Sequence, residues 1–176
     1  MFPAFRHDGS VNVVVETPRG SQAKFKYDPE TGAMMLSRPL PAGVVYPYDW
    51  GYIPSTRAAD GDPIDVMVLW DGTSFPGVVL PSRLIGVLRV EQTGAEPGLR
   101  ERNDRLFALP IKAPRSAHVQ TIFDLPERVR LEIEQFFQTV VAFEGKDLRL
   151  LGFEGKDEAD RALRAALVES HEERHR

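Results

Sequence analysis

The stretch Asp60-Gly61-Asp62-Pro63-Ile64-Asp65 (DGDPID) governs how the rest of the chain reads. Three carboxylates fall within one short segment, separated by a glycine, a proline and an isoleucine. Two carboxylates about 4 Å apart repel by roughly 4 kcal/mol at an effective dielectric near 20. Gathering three of them requires an offset: solvent, protonation or a bound cation. Gly61 permits backbone angles other residues avoid, and Pro63 fixes φ and removes a donor. The apolar run Val66-Met67-Val68-Leu69-Trp70 follows and has β character. The segment predicts a rigid turn that delivers carboxylates to the end of a buried strand. An all-oxygen donor set of this kind suits Mg²⁺, Mn²⁺ or Ca²⁺ better than zinc or copper.

Taken alone, DGDP is also ordinary turn chemistry, because Asp, Gly and Pro each favour turns. A solvated turn and a metal site are both open at this point. An EF-hand loop is excluded, since Pro63 and Asp65 break its ligand spacing.

Composition narrows the field. A chain of 176 residues with 42% hydrophobic content suits a single domain, 1–176, with a sizeable core. No cysteine is present, which removes disulfides, thiolate zinc sites and cysteine nucleophiles. Lys and Arg total 22 against 26 Asp and Glu, for a net charge of −4. That balance speaks against a nucleic-acid partner, which needs a concentrated basic surface. No apolar run reaches the roughly 20 residues of a membrane helix, and MFPAFRHDGS lacks a signal-peptide core. The expected location is the cytoplasm, with no membrane partner.

Along the chain, Val11–Thr17 (VNVVVET) reads as a strand, with Glu16 expected at an exposed edge. Lys24–Asp28 (KFKYD) alternates polar and aromatic residues, as a half-buried strand does. A DPETG turn then lets 33–37 pair back as a hairpin closed by Arg38. On such a face, Lys24 and Arg38 would ordinarily be solvated cations. Tyr46–Pro54 (YPYDWGYIP) sets three tyrosines and a tryptophan around Gly51, either as core or as the lining of a pocket. Leu84–Val90 and Arg105–Ile111 read as strands, and 93–103 as a polar loop.

The last third changes period. Asp124 is placed to cap a helix, with Pro126 in its first turn. Val129, Ile133, Phe136, Phe137, Val140 and Val141 then form one apolar helical face. A second helix is expected over 156–170, with Ala159, Ala162, Leu163, Ala166 and Leu167 inward. His171 and His175 fall in a charged, solvated tail. No HExxH pair, GxSxG elbow, Walker loop or GxGxxG fingerprint occurs. Strands followed by two helices suggest a small β-barrel with helices packed on it.

These features together resemble the family I soluble inorganic pyrophosphatases. DGDPID matches the D-G-D-P-x-D signature of that family at every required position. The likeness runs from VVVETP through KFKYD, YPYDWGYIP and GVLRV to both helices, nearly the whole chain. It implies a mainly β, α+β fold: an OB-like closed five-stranded barrel with two C-terminal helices. It also implies several Mg²⁺ ions, with Mn²⁺ as a substitute, hydrolysis of pyrophosphate to two phosphates, and a homo-oligomer, commonly a hexamer in bacteria. Residue by residue, it assigns Asp60, Asp65 and Glu16 to metal and Asp62 to the general base. Lys24 and Arg38 are implied to grip phosphoryl oxygens, and Tyr46 to line the site.

Several positions depart from the pattern. Lys26 stands where an acid is expected, and Trp50 where a tyrosine is. Glu91 replaces a metal aspartate, Asn103 lies opposite a second, and Asp104 reaches that place if the loop shifts by one. Arg105 replaces a lysine and gains bidentate geometry. The Tyr-Lys pair implied for the first helix falls at Val140 and Val141. A charge-assisted contact contributes roughly 1.5–3 kcal/mol, so losing two costs on the order of a hundredfold or more. Lys26, Arg102 and Lys112 are the candidates to compensate.

The chemistry expected is attack on a polyanion by a water acidified between two divalent ions, with Asp62 taking the remaining proton. Lys24, Arg38 and Arg105 would neutralise phosphoryl charge. The rival readings are a family member that binds metal and phosphate ligands with weak or altered hydrolysis, and an OB-type nucleic-acid module, which the acidic cluster disfavours.

Overall fold

The computed structural model describes residues 2–168. The histidine tail and the end of the expected second helix therefore lie outside the described residues. Nine strands are assigned among those described: β1 Val11–Thr17, β2 Ala23–Asp28, β3 Ala33–Pro39, β4 Asp49–Tyr52, β5 Asp65–Val68, β6 Val79–Thr93, β7 Arg100–Arg102, β8 Arg105–Pro110 and β9 Arg149–Glu154. Helix α1 spans Glu127–Val140 and α2 spans Lys156–Ala165.

Five strands close on themselves in the order β1-β4-β5-β8-β6, and β6 pairs back with β1. This is the closed arrangement expected of an OB-like barrel. Closure removes the free edges that an open sheet would leave unpaired. Four of the five junctions are antiparallel; β5 and β8 run parallel, with Asp65 opposite Arg105. The long strand β6 makes closure possible, because it pairs with both β1 and β8; it also carries β7 and β9 on its far half. A register shift between Leu84 and Gly86 bends it where the partner changes. The hairpin β2-β3 forms a separate two-stranded sheet.

Strand alternation feeds two apolar clusters. On β5, Met67 joins a cluster with Trp50, Ile85, Phe107, Ile133, Phe136 and Phe137, closed by α1. Val66 and Val68 join the other, with Val13, Ile53, Leu106, Ala159 and Leu163, closed by α2. Gly51 on β4 allows the tightest approach in the ring. A Cβ there would lie 1.9 Å from the Val14 carbonyl oxygen.

Several expectations are corrected. The span 93–103 is not simply a loop, because β6 continues to Thr93 and β7 returns against it. Strand β9 is an addition. Asp124 does not cap α1; its carboxylate accepts the amides of Gln120 and Thr121 within a short 3₁₀ turn, and Pro126 occupies the N-cap. Helix α2 ends at Ala165. Beyond it, the Arg57 amide donates to the Ala166 carbonyl at 2.7 Å and the Val168 amide to Ser55 at 3.0 Å, tying the chain to the segment before the acidic turn. Among the described residues, no helix is long and apolar enough to cross a membrane.

Candidate active site

The acidic turn is built by its own hydrogen bonds. Gly61 adopts φ +88°, a conformation that other residues seldom reach. Its amide donates to Ala58 at 3.0 Å, and the Ala58 amide donates to the Asp62 carbonyl at 2.7 Å. The Asp60 carboxylate accepts the Asp62 amide at 3.1 Å. Buried Ile64 anchors the exit, its amide donating to Thr56 Oγ1 at 3.0 Å. The turn thus opens into β5 with Asp65 as the strand's first residue.

The hairpin β2-β3 is clamped to the end of β1 from the other side. The Phe25 amide donates to Thr17 Oγ1 at 2.9 Å, and that hydroxyl donates back to the Phe25 carbonyl. The Tyr27 amide donates to a Glu16 carboxylate oxygen at 2.7 Å. Glu16 is 5% exposed, not an exposed edge residue. The clamp brings Lys24 and Lys26 over the same opening as the turn, with Arg38 directly across from Lys24 in the hairpin register.

These pieces line one cavity of about 900 Å³. Glu16, Lys24, Arg38, Tyr46, Asp60, Asp62, Asp65, Asn103 and Arg105 all face it. Glu91 and Asp104 are not among its lining residues. Glu91 lies 3.6 Å from Arg100, and Asp104 pairs with Arg89 at 2.8 Å and Arg102 at 3.0 Å. Their neighbours Gln92 and Asn103 face the cavity instead, as successive residues of an extended chain point to opposite sides. Asn103 hydrogen-bonds the Arg105 guanidinium.

Charge in the cavity is partly paired. Lys26 Nζ lies 2.6 Å from Asp62, and Arg105 lies 2.9 Å from Asp65. Arg38 donates to the Val140 carbonyl at 2.8 Å and approaches Glu144 at 3.4 Å. Lys24 and Arg105 also lie over the Trp50 ring, 6.0 and 5.6 Å from its centroid. Burial pushes the Glu16 carboxyl up to about 7; the Tyr27 amide opposes this and Asp65 adds to it. Asp60 is raised by burial too, against the pull of the Asp62 amide, and the charges of Asp65 and Asp62 reinforce the rise. Burial lowers Lys24 despite the attraction of Asp65. Lys26 loses some affinity for its proton through burial but gains more from Asp62, and its pKa is raised.

Of the compensating cations considered, Lys26 lines the cavity, whereas Arg102 and Lys112 do not. Val140 and Val141 form part of the α1 wall. Lining residues without a sequence signal include Gln92, hidden in a strand that reads as ending earlier, and Glu144 and Lys146, in the turn after α1.

An acidic turn facing a cationic hairpin across one cavity, on a closed five-stranded ring, defines a site for a polyanion handled with positive charge. The chain belongs to the inorganic pyrophosphatase family, whose model matches residues 13–171. It is 40% identical over 161 residues to an inorganic pyrophosphatase of Thermus thermophilus, covering 90% of this chain and 89% of that one. It is 38% identical over 156 residues to an inorganic pyrophosphatase of Nostoc sp., covering 89% of each. Among solved structures, it is similar to an inorganic pyrophosphatase from Thermus thermophilus with TM-score 0.86, 36% identity and 94% of each chain covered.

Proposed function

We propose that this chain hydrolyses pyrophosphate to two phosphates with Mg²⁺, using Asp62 as the general base. The observation that carries this reading is the convergence of Asp60, Asp62 and Asp65 with Lys24, Arg38 and Arg105 on one cavity.

The donor set fits a hard divalent ion. Glu16, Asp60 and Asp65 offer only oxygen, and two of the three are raised by burial with neighbouring carboxylates adding to it. Among the described residues, no three acidic or histidine side chains are gathered closely enough to hold an ion by themselves. Lys26 meets Asp62 and Arg105 meets Asp65 across the same space. Glu16, Asp60 and Asp65, with Asn103 as a neutral oxygen donor, are the residues that would hold Mg²⁺ or Mn²⁺. When bound, such ions acidify water and neutralise phosphoryl charge.

The chain's own residues supply the rest. Asp62 is half exposed at the cavity mouth, where it can accept a proton from an attacking water. Lys24 and Arg38 sit side by side on the hairpin to hold phosphoryl oxygens, and Arg105 presents a planar fork to the same space. Tyr46 packs behind them against Phe136 with ring centroids 5.0 Å apart, and burial raises its hydroxyl pKa, so it acts as a neutral donor. The family resemblance extends the proposal to a cytoplasmic homo-oligomer, whose size sedimentation velocity would measure.

Phosphate release from pyrophosphate, with and without Mg²⁺, tests the proposal against Asp62→Asn. Release no faster than in the Asp62→Asn protein overturns it. The Val140-Val141 wall favours a second reading, weaker hydrolysis or preference for another phosphoanhydride. Comparing pyrophosphate with tripolyphosphate and ADP separates the two.

A further inference from the structure

Five basic side chains line the cavity: Lys24, Lys26, Arg38, Arg105 and Lys146. Three are engaged by carboxylates, Lys26 by Asp62, Arg38 by Glu144 and Arg105 by Asp65. Among the described residues, Lys24 and Lys146 have no carboxylate within ion-pair distance. Lys24 belongs to the hairpin side. Lys146 lies in the segment between α1 and β9, which Arg38 of the hairpin touches at Val140 and Glu144.

The backbone around Lys146 is held on both flanks. Before it, the Glu144 amide donates to the Val141 carbonyl at 3.0 Å, and Arg38 reaches both Val140 and Glu144. Gly145 then reverses the chain at φ +64°. After it, the Asp147 amide donates to Thr93 Oγ1 at 3.2 Å, and Arg100 grips both the carboxylate and the carbonyl of Asp147, at 2.7 and 2.9 Å. The two neighbouring carboxylates are therefore already satisfied by arginines. Lys146 itself is exposed, with its charge unspent toward the cavity.

The wall beside it offers little else to an anion. Val140, Val141 and Leu148 have no side-chain donors, and Glu144 repels negative charge. We infer that Lys146 contacts the phosphoryl group lying on the α1 side of the cavity and sets affinity for the polyanionic substrate. This rests on the proposed pyrophosphate reading and names the residue that completes it. The contact holds the substrate equally before and during reaction, so it acts on KM and not on kcat.

The test compares Lys146→Met, Lys146→Arg and, as a control outside the cavity, Lys112→Met. Steady-state hydrolysis of pyrophosphate with Mg²⁺ gives kcat and KM. Calorimetric titration with imidodiphosphate, whose P–N–P bridge resists hydrolysis, gives affinity without turnover. Lys146→Met is expected to raise KM and the imidodiphosphate Kd roughly tenfold with kcat within about twofold, as for a lost charge-assisted contact. Lys146→Arg keeps the charge and restores most of both, and Lys112→Met changes neither. An active wild type with unchanged KM and Kd in Lys146→Met overturns the inference alone. A wild type that binds imidodiphosphate but does not hydrolyse pyrophosphate overturns the hydrolytic reading alone, and the titration still decides Lys146. Absence of both activity and binding in the wild type overturns both.

Discussion

Lys26 Nζ lies 2.6 Å from the Asp62 carboxylate, so the proposed general base is met by a cation from the hairpin facing it. Both side chains are about half exposed, 46% and 55%. An ion pair in that setting contributes about 0–1 kcal/mol to stability. Its place is therefore better explained by the site than by the fold.

Replacing Asp62 should separate the two roles. Asp62→Asn is expected to lower kcat for pyrophosphate by about 10²–10⁴-fold, the usual contribution of a general base. Its urea midpoint should stay near that of the wild type, since at most about 1 kcal/mol is at stake. Phosphate release and equilibrium unfolding on the same preparation check both halves.

Glu16 is expected to make the metal-free protein pH-sensitive. Its carboxyl is raised from 4.5 to about 7 by burial, so the folded state holds a proton that the unfolded chain releases. A raised folded pKa contributes stability in full below about 4.5, and that contribution is lost as pH climbs through 7. The stability of the metal-free wild type is expected to fall between those limits by on the order of 3 kcal/mol at most, read as a lower melting temperature. Glu16→Gln, which carries no titrating proton, should flatten the curve. If Glu16 binds the ion as proposed, Mg²⁺ at pH 8 raises the melting temperature more in the wild type than in Glu16→Gln.

Gly51→Ala tests how tightly the ring closes. The added methyl would sit 1.9 Å from the Val14 carbonyl oxygen, a backbone atom that cannot swing aside. A loss on the order of 3–5 kcal/mol is expected, read as a shifted denaturant midpoint. An unchanged midpoint would mean that β1 and β4 do not meet at this register.

The two valines of the α1 wall should respond differently to polar replacement. Val141 is half-buried at the helix C-terminus and lines the cavity. Val141→Lys is expected to lower KM for pyrophosphate by about tenfold, with the helix end favouring the added cation. Val140 is 5% exposed and packed in the core. Val140→Tyr should instead destabilise the fold by about 1–3 kcal/mol through overpacking.

The sequence was most legible where side chains carry a strong period. The valines of β1 and the alternation of β2 announce their strands, and β1 falls on the expected residues, 11–17. Strand β4 was hidden because its four residues mix a buried aspartate, a tryptophan and a glycine with no period. Strand β7 is three charged or polar residues held by backbone pairing with β6, which leaves no trace in hydrophobicity. Strand β6 outran its apolar centre, because Pro81 and Ser82 interrupt the pattern while still pairing with β1. Within the site, the DGDPID turn was readable since its geometry is local. Whether Asn103 or Asp104 faces the cavity was not, because that depends on register against β6; Asp104 turns to Arg89 and Arg102. Lys146 carries no sequence signal for a similar reason: only the folded path of its turn brings it to the opening.

The parallel pairing that sets Asp65 opposite Arg105 has a consequence for how the molecule comes into being. Parallel neighbours cannot be joined by a tight hairpin, and here residues 69–104 must first travel out along β6 and return. On the ribosome the acidic turn emerges well before its arginine. A nascent chain halted at residue 104 would carry all three aspartates of the turn with the last of them unmatched. The site is thus assembled late in synthesis, after the strands that frame it have been made.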